Sequence, residues 1–259
     1  METRGKAEVS YSESVSYVRL SPNCYKGRSF NGEQRKIDTI TIHHTAGVLS
    51  VEALGEDFAN PARQASSNYG VGNDGRIACY VEEENTAWTS SSRDNDSRAI
   101  TIEVVNSKAE EPWPVSDAAY AALIDLLADV CRRNGIKRLL WKNDRSLIGQ
   151  PEKQNMTVHR WFSATACPGQ YLYERMGAIA DAVNEKLEEW ENENVKRYNT
   201  MEEISQGAPW AVETVEKLIE GGAIKGNGLK DTQGRPADMD LSYDMLRTFV
   251  ANDRMGVYE

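Results

Sequence analysis

Polar and apolar residues alternate through residues 37–43, with Ile40 and Ile42 on one face and Thr39, Thr41 and His43 on the other, as in a strand with two unlike faces. Residues 99–105 repeat the pattern: Ile100, Ile102 and Val104 share one face, Thr101, Glu103 and Val105 the other. Between them, residues 69–72 and 76–81 flank Asn73-Asp74-Gly75, which predicts a β-hairpin. Residues 51–59 read as a short helix stopped at Asn60-Pro61. The period then changes. After Ser116, a hydroxyl suited to capping, Tyr120, Leu123, Ile124, Leu127, Val130 and Cys131 recur at three- and four-residue spacing, and Gly135 stands where the helix should end. A second stripe, Leu172, Met176, Ile179, Val183, Leu187 and Trp190, follows Pro168. Strands interleaved with helices predict an α/β domain, one sheet with covering helices, over residues 37–190.

The flanks read differently. Residues 1–36 are rich in Ser, Asn, Gly and Tyr with no sustained period, and are expected to form an extended arm with a loop around Pro22, Gly27 and Gly32. Residues 191–206 begin as a polar helix tail and are expected to serve as a linker. Residues 207–259 predict a small, mainly helical C-terminal domain, with helices over 210–220, closed by Gly221-Gly222, and over 241–252. Some fifty residues bury only a small core, so this unit is expected to pack on a neighbour or partner.

Composition narrows the partners. The 259 residues carry 40 acidic and 30 basic side chains, a net charge of −10. The charge is unevenly spread: +3 over residues 1–36, −8 over the middle and −5 over 191–259. That balance argues against nucleic acid held on a broad basic face. No apolar run approaches the ~20 residues of a spanning helix, so membrane insertion is not expected. The first twenty residues hold no apolar core of a secretory signal, which predicts synthesis in the cytoplasm. Cys24, Cys79, Cys131 and Cys167 form no Cys-x-x-Cys pair, and a disulfide scaffold is not expected.

The three histidines, His43, His44 and His159, carry the candidate chemistry. His43 ends a strand and can project into a cleft at the sheet edge. His159 lies in a short strand-like piece, 157–161. Cys167 follows it after seven residues, just before Pro168-Gly169 and a long helix whose N-terminus favours thiolate over thiol. Thiolate and neutral imidazole are ligands zinc prefers, and three protein ligands leave a fourth position for water. His44 points to the opposite face from His43 and is expected to be a buried, hydrogen-bonded histidine. Glu103 shares its face with Thr101, as His43 does with Thr41. If the two strands are neighbours, Glu103 faces the same cleft and can act as general base and then acid; the other reading is an exposed strand charge. Spacing alone makes this site suggestive rather than specific.

Four stretches in order carry a resemblance: Thr39-Ile-Thr-Ile-His-His-Thr-Ala-Gly47, Asn68-Tyr-Gly-Val-Gly-Asn-Asp-Gly75, Ala99-Ile-Thr-Ile-Glu-Val105, and His159 with Thr165-Ala-Cys-Pro-Gly169. Over about residues 37–185 the chain resembles a zinc N-acetylmuramoyl-L-alanine amidase of type 2, of phage or prophage endolysin type, with the fold shared by peptidoglycan recognition proteins. The resemblance implies a central mixed β-sheet covered by helices. It also implies His43, His159 and Cys167 as Zn2+ ligands, Glu103 as the catalytic acid–base residue, and bacterial peptidoglycan as substrate, acted on at the cell wall; Thr165 is expected to join Glu103 in catalysis by donating to the developing oxyanion. Asn68, Trp88 and Trp161 are expected to contact that substrate. A lysin without a signal further implies release through a holin. Two positions depart from many relatives: Ser67 stands where they carry a catalytic tyrosine, and Thr165 where some carry a lysine. The segment 209–226 is similar to a surface-layer-homology-like wall-anchoring half-repeat, or else is a packing or dimerisation appendage. Competing readings are a non-catalytic peptidoglycan-binding module, in which the ligand cysteine is typically lost, and a zinc endopeptidase on the same fold.

Overall fold

The computed structural model describes residues 10–258, in two compact units that divide between Leu187 and Glu188. The first is built on a six-stranded mixed sheet. Its strands run, edge to edge, Val15–Val18, Ile77–Cys79, Tyr69–Val71, Ala99–Val104, Thr39–His44 and Met156–Val158. Only the Tyr69–Val71 and Ile77–Cys79 pair is antiparallel, the expected hairpin, with Gly75 at φ +80° in its turn. The other four pairings are parallel.

The alternation seen in the sequence becomes two unlike faces. Ile40, Ile42, Ile100, Ile102, Met156 and Val158 are fully buried in one core. That core also takes Leu123, Leu127 and Val130 of α3 (Asp117–Arg133), and Leu172, Met176, Ile179 and Val183 of α4 (Gly169–Val195). Ser116 caps α3 by accepting from the Ala119 N–H. The stripe expected to reach Trp190 ends in this core at Leu187; Trp190 is exposed. Near the hairpin, α1 (Val51–Ala59) sets Val51, Leu54 and Phe58 against Tyr80 and Ala78.

On the other face, Thr41, Thr101 and Thr157 lie side by side in register and are buried. Buried hydroxyls need partners, and these have them. Thr41 and Thr157 share a 2.8 Å bond. Asn95, on the short helix α2 (Arg93–Arg98), donates to Thr41 and accepts from Thr157. This layer underlies the strand ends that carry His43, Glu103 and His159.

Two expectations about the flanks are corrected. Residues 15–18, read as part of an extended arm, form the edge strand of the sheet, paired with Ile77–Cys79. A Cys24–Tyr25 strand pairs with Thr86–Ala87. Arg28 is buried and donates to the carbonyls of Glu83, Asp96, Ser97 and Ala99. Burial lowers its pKa to about 10, and the nearby Glu83 and Asp96 charges oppose that shift. Composition hid this, because edge strands are short and a single buried guanidinium leaves no period.

Residues 191–206, read as a linker, are largely structured. Helix α4 continues to Val195, Arg197–Tyr198 pairs with Leu241–Ser242, and α5 (Met201–Gly207) starts on a Thr200/Glu203 capping box. The second unit has its own core of Tyr198, Met201, Ile204, Ala211, Val215, Leu241, Leu246 and Val250. Its later helices are α6 (Val212–Glu220) and α7 (Tyr243–Arg254).

Candidate metal centre

His43 is the fifth residue of Thr39–His44, and the parallel register sets it directly opposite Glu103. Adjacent parallel strands point paired residues to the same side, and Glu103 Oε1 lies 4.0 Å from His43 Nδ1. His159 opens a 3-10 turn just beyond Met156–Val158, the strand on the other side of Thr39–His44. Cys167 lies two residues before α4 and places its Sγ 3.3 Å from His43 Nδ1. One ligand atom from each of His43, His159 and Cys167 falls within 4.8 Å of the others. Three chain stretches far apart in sequence, around residues 43, 103 and 159–167, thus meet near the ends of three neighbouring parallel strands.

The loop carrying Cys167 is braced from both sides. Thr165 Oγ1 accepts the Cys167 N–H at 3.2 Å, and Arg160 donates to the carbonyls of Cys167 and Ala166. Gly169, at φ +78°, lets the chain turn against its neighbours: a Cβ there would stand 2.7 Å from Trp113 Cβ and 3.1 Å from His44 Nδ1. His44 lies on the opposite face, buried, with Nδ1 3.1 Å from Asn106 Oδ1 and its ring edge-on to Trp113.

The donor set suits zinc. Burial lowers the pKa of His43 and His159, leaving neutral imidazoles with lone pairs to give. Burial, reinforced by the Glu103 charge, pushes the Cys167 thiol well above its ordinary value. Without a metal, burial thus opposes the thiolate expected at the helix N-terminus, and a bound cation would favour ionisation of this sulfur. Burial also pushes the Glu103 carboxyl up to about 8, while the Arg63 charge draws it down. Glu103 Oε2 is buried without a hydrogen-bond partner among the described residues, as expected of a carboxyl placed to meet a water or substrate.

Glu103, His159, Thr165, Cys167 and Trp88 line one cleft of about 520 Å³. Asn68 and Trp161 do not line it. Asn68 is fully buried, and its amide donates to the Val81 carbonyl and accepts from the Thr101 N–H, so it ties strands together. Trp161 is buried and stacks on Trp141 with ring centroids 5.0 Å apart. Ser67 is buried too, its hydroxyl donating to the Tyr69 carbonyl, and so does not replace a cleft tyrosine.

Sequence reasoning missed the supports. Asp96 is a buried carboxylate on the cleft wall that accepts the Thr89 and Ser90 N–H groups. It thereby holds the loop whose Ser91 Oγ lies 3.3 Å from His159 Nε2. A Ser-rich stretch with Asp and Asn was the only signal, and it reads equally well as a turn.

Solved structures with similar chains include a mutant endolysin from Bacillus subtilis, 18% identical, covering 64% of this chain and 97% of that one at a TM-score of 0.45. A selenomethionine derivative of AmpD is 17% identical over 67% and 98% of the two chains, with a TM-score of 0.46. Drosophila PGRP-LB is 16% identical over 59% and 86%, with a TM-score of 0.42. No curated protein matches the chain. The family model for N-acetylmuramoyl-L-alanine amidase matches residues 33–170, over half of the sequence and spanning every residue of the candidate centre, and the chain belongs to this type 2 amidase family.

Proposed function

We propose that this chain is a zinc-dependent peptidoglycan hydrolase that cleaves the amide between N-acetylmuramic acid and L-alanine, acting as a cell-wall lysin of endolysin type. The observation that carries this reading is the convergence of His43, His159 and Cys167 within 4.8 Å beside Glu103 in an open cleft. His43, His159 and Cys167 would hold the zinc. When bound, zinc supplies a Lewis acid for the lactyl carbonyl and lowers the pKa of the attacking water. Glu103 takes that water's proton on its unpartnered Oε2 and returns it to the leaving alanine nitrogen. Thr165 Oγ1 accepts from the Cys167 backbone, which leaves its own hydrogen to donate toward the developing oxyanion. Trp88 forms part of the wall along which the glycan-peptide lies. The buried thiol at position 167 favours an enzyme over a module that only binds.

Digestion of purified cell walls tests the reaction. An amidase releases peptides with new alanine N-termini and creates no sugar reducing ends. New N-termini within the peptide cross-links would make it an endopeptidase, and binding without release a recognition module. We further propose that the unit over residues 188–259 serves wall attachment, since it folds around its own core and leaves Trp210 exposed against Tyr243. Deleting residues 200–259 is expected to reduce pull-down by cell walls while cleavage of soluble muropeptides persists. Equal pull-down by the two proteins would remove that role.

A further inference from the structure

The segment preceding the family-matched residues 33–170 reaches the cleft. Tyr25 lies on it, in the short strand that pairs Cys24 with Ala87 and Tyr25 with Thr86. The backbone on either side is fastened by buried polar groups. Before it, Asn23 donates to the carbonyls of Phe58, Asn60 and Ala65, and Ser21 to that of Phe58. After it, Arg28 spans four carbonyls, and Gly27 N–H donates to Asn85 Oδ1. Between these anchors Tyr25 remains 39% exposed, and its hydroxyl has no hydrogen-bond partner among the described residues.

Its neighbours define what it would bind. The Tyr25 ring stands 5.2 Å from that of Trp88, tilted 53°, and the Arg93 guanidinium lies 4.0 Å over it. Arg93 makes no ion pair among the described residues, so the stacked guanidinium keeps donor positions for a ligand. All three line the same cleft as Glu103 and Cys167. The Tyr25 face that Arg93 does not cover, together with Trp88, would stack on the C–H face of a pyranose, and the guanidinium would donate to its hydroxyl and acetamido oxygens.

We infer that Tyr25, with Trp88 and Arg93, forms a saccharide subsite that holds the N-acetylhexosamine next to the muramoyl unit, making the N-terminal segment a determinant of glycan length preference. This rests on the amidase reading and specifies which part of that substrate the wall recognises.

The test compares two soluble substrates, an N-acetylmuramoyl-peptide and the corresponding disaccharide-peptide with N-acetylglucosamine attached, for wild type, Tyr25→Ala and Tyr25→Phe. Tyr25→Ala is expected to raise KM for the disaccharide-peptide about three- to tenfold, the range for loss of one aromatic contact. Its KM for the monosaccharide-peptide and its kcat on both should stay unchanged, and Tyr25→Phe should behave as wild type. Thermal midpoints within a few degrees of wild type would show that the segment remains docked; if Tyr25→Ala loses it, Arg93→Ala gives the same comparison from the other side of the ring. An equal loss on both substrates, a loss confined to the monosaccharide, or no loss overturns the subsite. If wild type releases peptide from neither substrate or from walls, the amidase reading fails instead.

Discussion

Cys167→Ser is expected to lose both metal and activity, with peptide release from cell walls falling at least ~100-fold. Removing groups that merely orient a ligand already costs roughly 10–100-fold. The serine has nearly the shape of the thiol, so the loop held by Thr165 and Arg160 should keep its place. What changes is the donor: a hydroxyl neither ionises readily nor offers the soft sulfur that zinc prefers. Zinc content per chain separates this from a folding defect: wild type should purify with about one equivalent and the variant with much less. A chelator should silence wild type, and added zinc should restore it, while the variant stays inactive. Chelator-resistant wild-type activity, or full activity in the variant, would sink the metal assignment.

Glu103→Gln is expected to keep the metal and lose the reaction. Proton transfer by a positioned side chain contributes about 10²–10⁴-fold, and the loss should appear in kcat with KM nearly constant. Glutamine preserves size and hydrogen-bonding reach but cannot take up a proton. It should also leave the fold intact, because Glu103 has no hydrogen-bonded partner on Oε2 to lose. Zinc content equal to wild type, with kcat down by that factor, fits the proposed role. A variant that hydrolyses walls at the wild-type rate would move the base elsewhere. Asp96 is a poor substitute, since its oxygens are committed to the Thr89 and Ser90 N–H groups.

Several groups that behave as one site owe their effect to their mounting. His43 and Glu103 are set by strand register, His159 by the turn after the next strand, and Cys167 by the loop before α4. Beneath them the Thr41–Thr157–Asn95 network joins two of those strands by side-chain bonds as well as backbone ones. A buried network of this kind rigidifies when every member is satisfied.

The sequence by itself determined the elements with strong periods and the residues whose chemistry has few other uses. The alternation around Ile40 and Ile100, and the stripes beginning at Leu123 and Leu172, were legible because burial on one face imposes a repeat of two or of 3.6 on the chain. The two histidines and the cysteine stood out for their rarity and their places at element ends, and the ordered motifs around them specified the family. Only the tertiary structure decided which residues near those motifs actually face the cleft. Asn68 and Trp161, neighbours of the motifs in sequence, turn inward to hold strands and pack a ring, whereas Tyr25 and Asp96, with no pattern to mark them, reach the cleft wall. It also turned an expected arm into the edge strand Val15–Val18, and buried the thiol of Cys167 beside Glu103. Periodicity reports which face of one element is buried; register between strands and the desolvation of a polar group depend on neighbours far away in sequence, which no local pattern records.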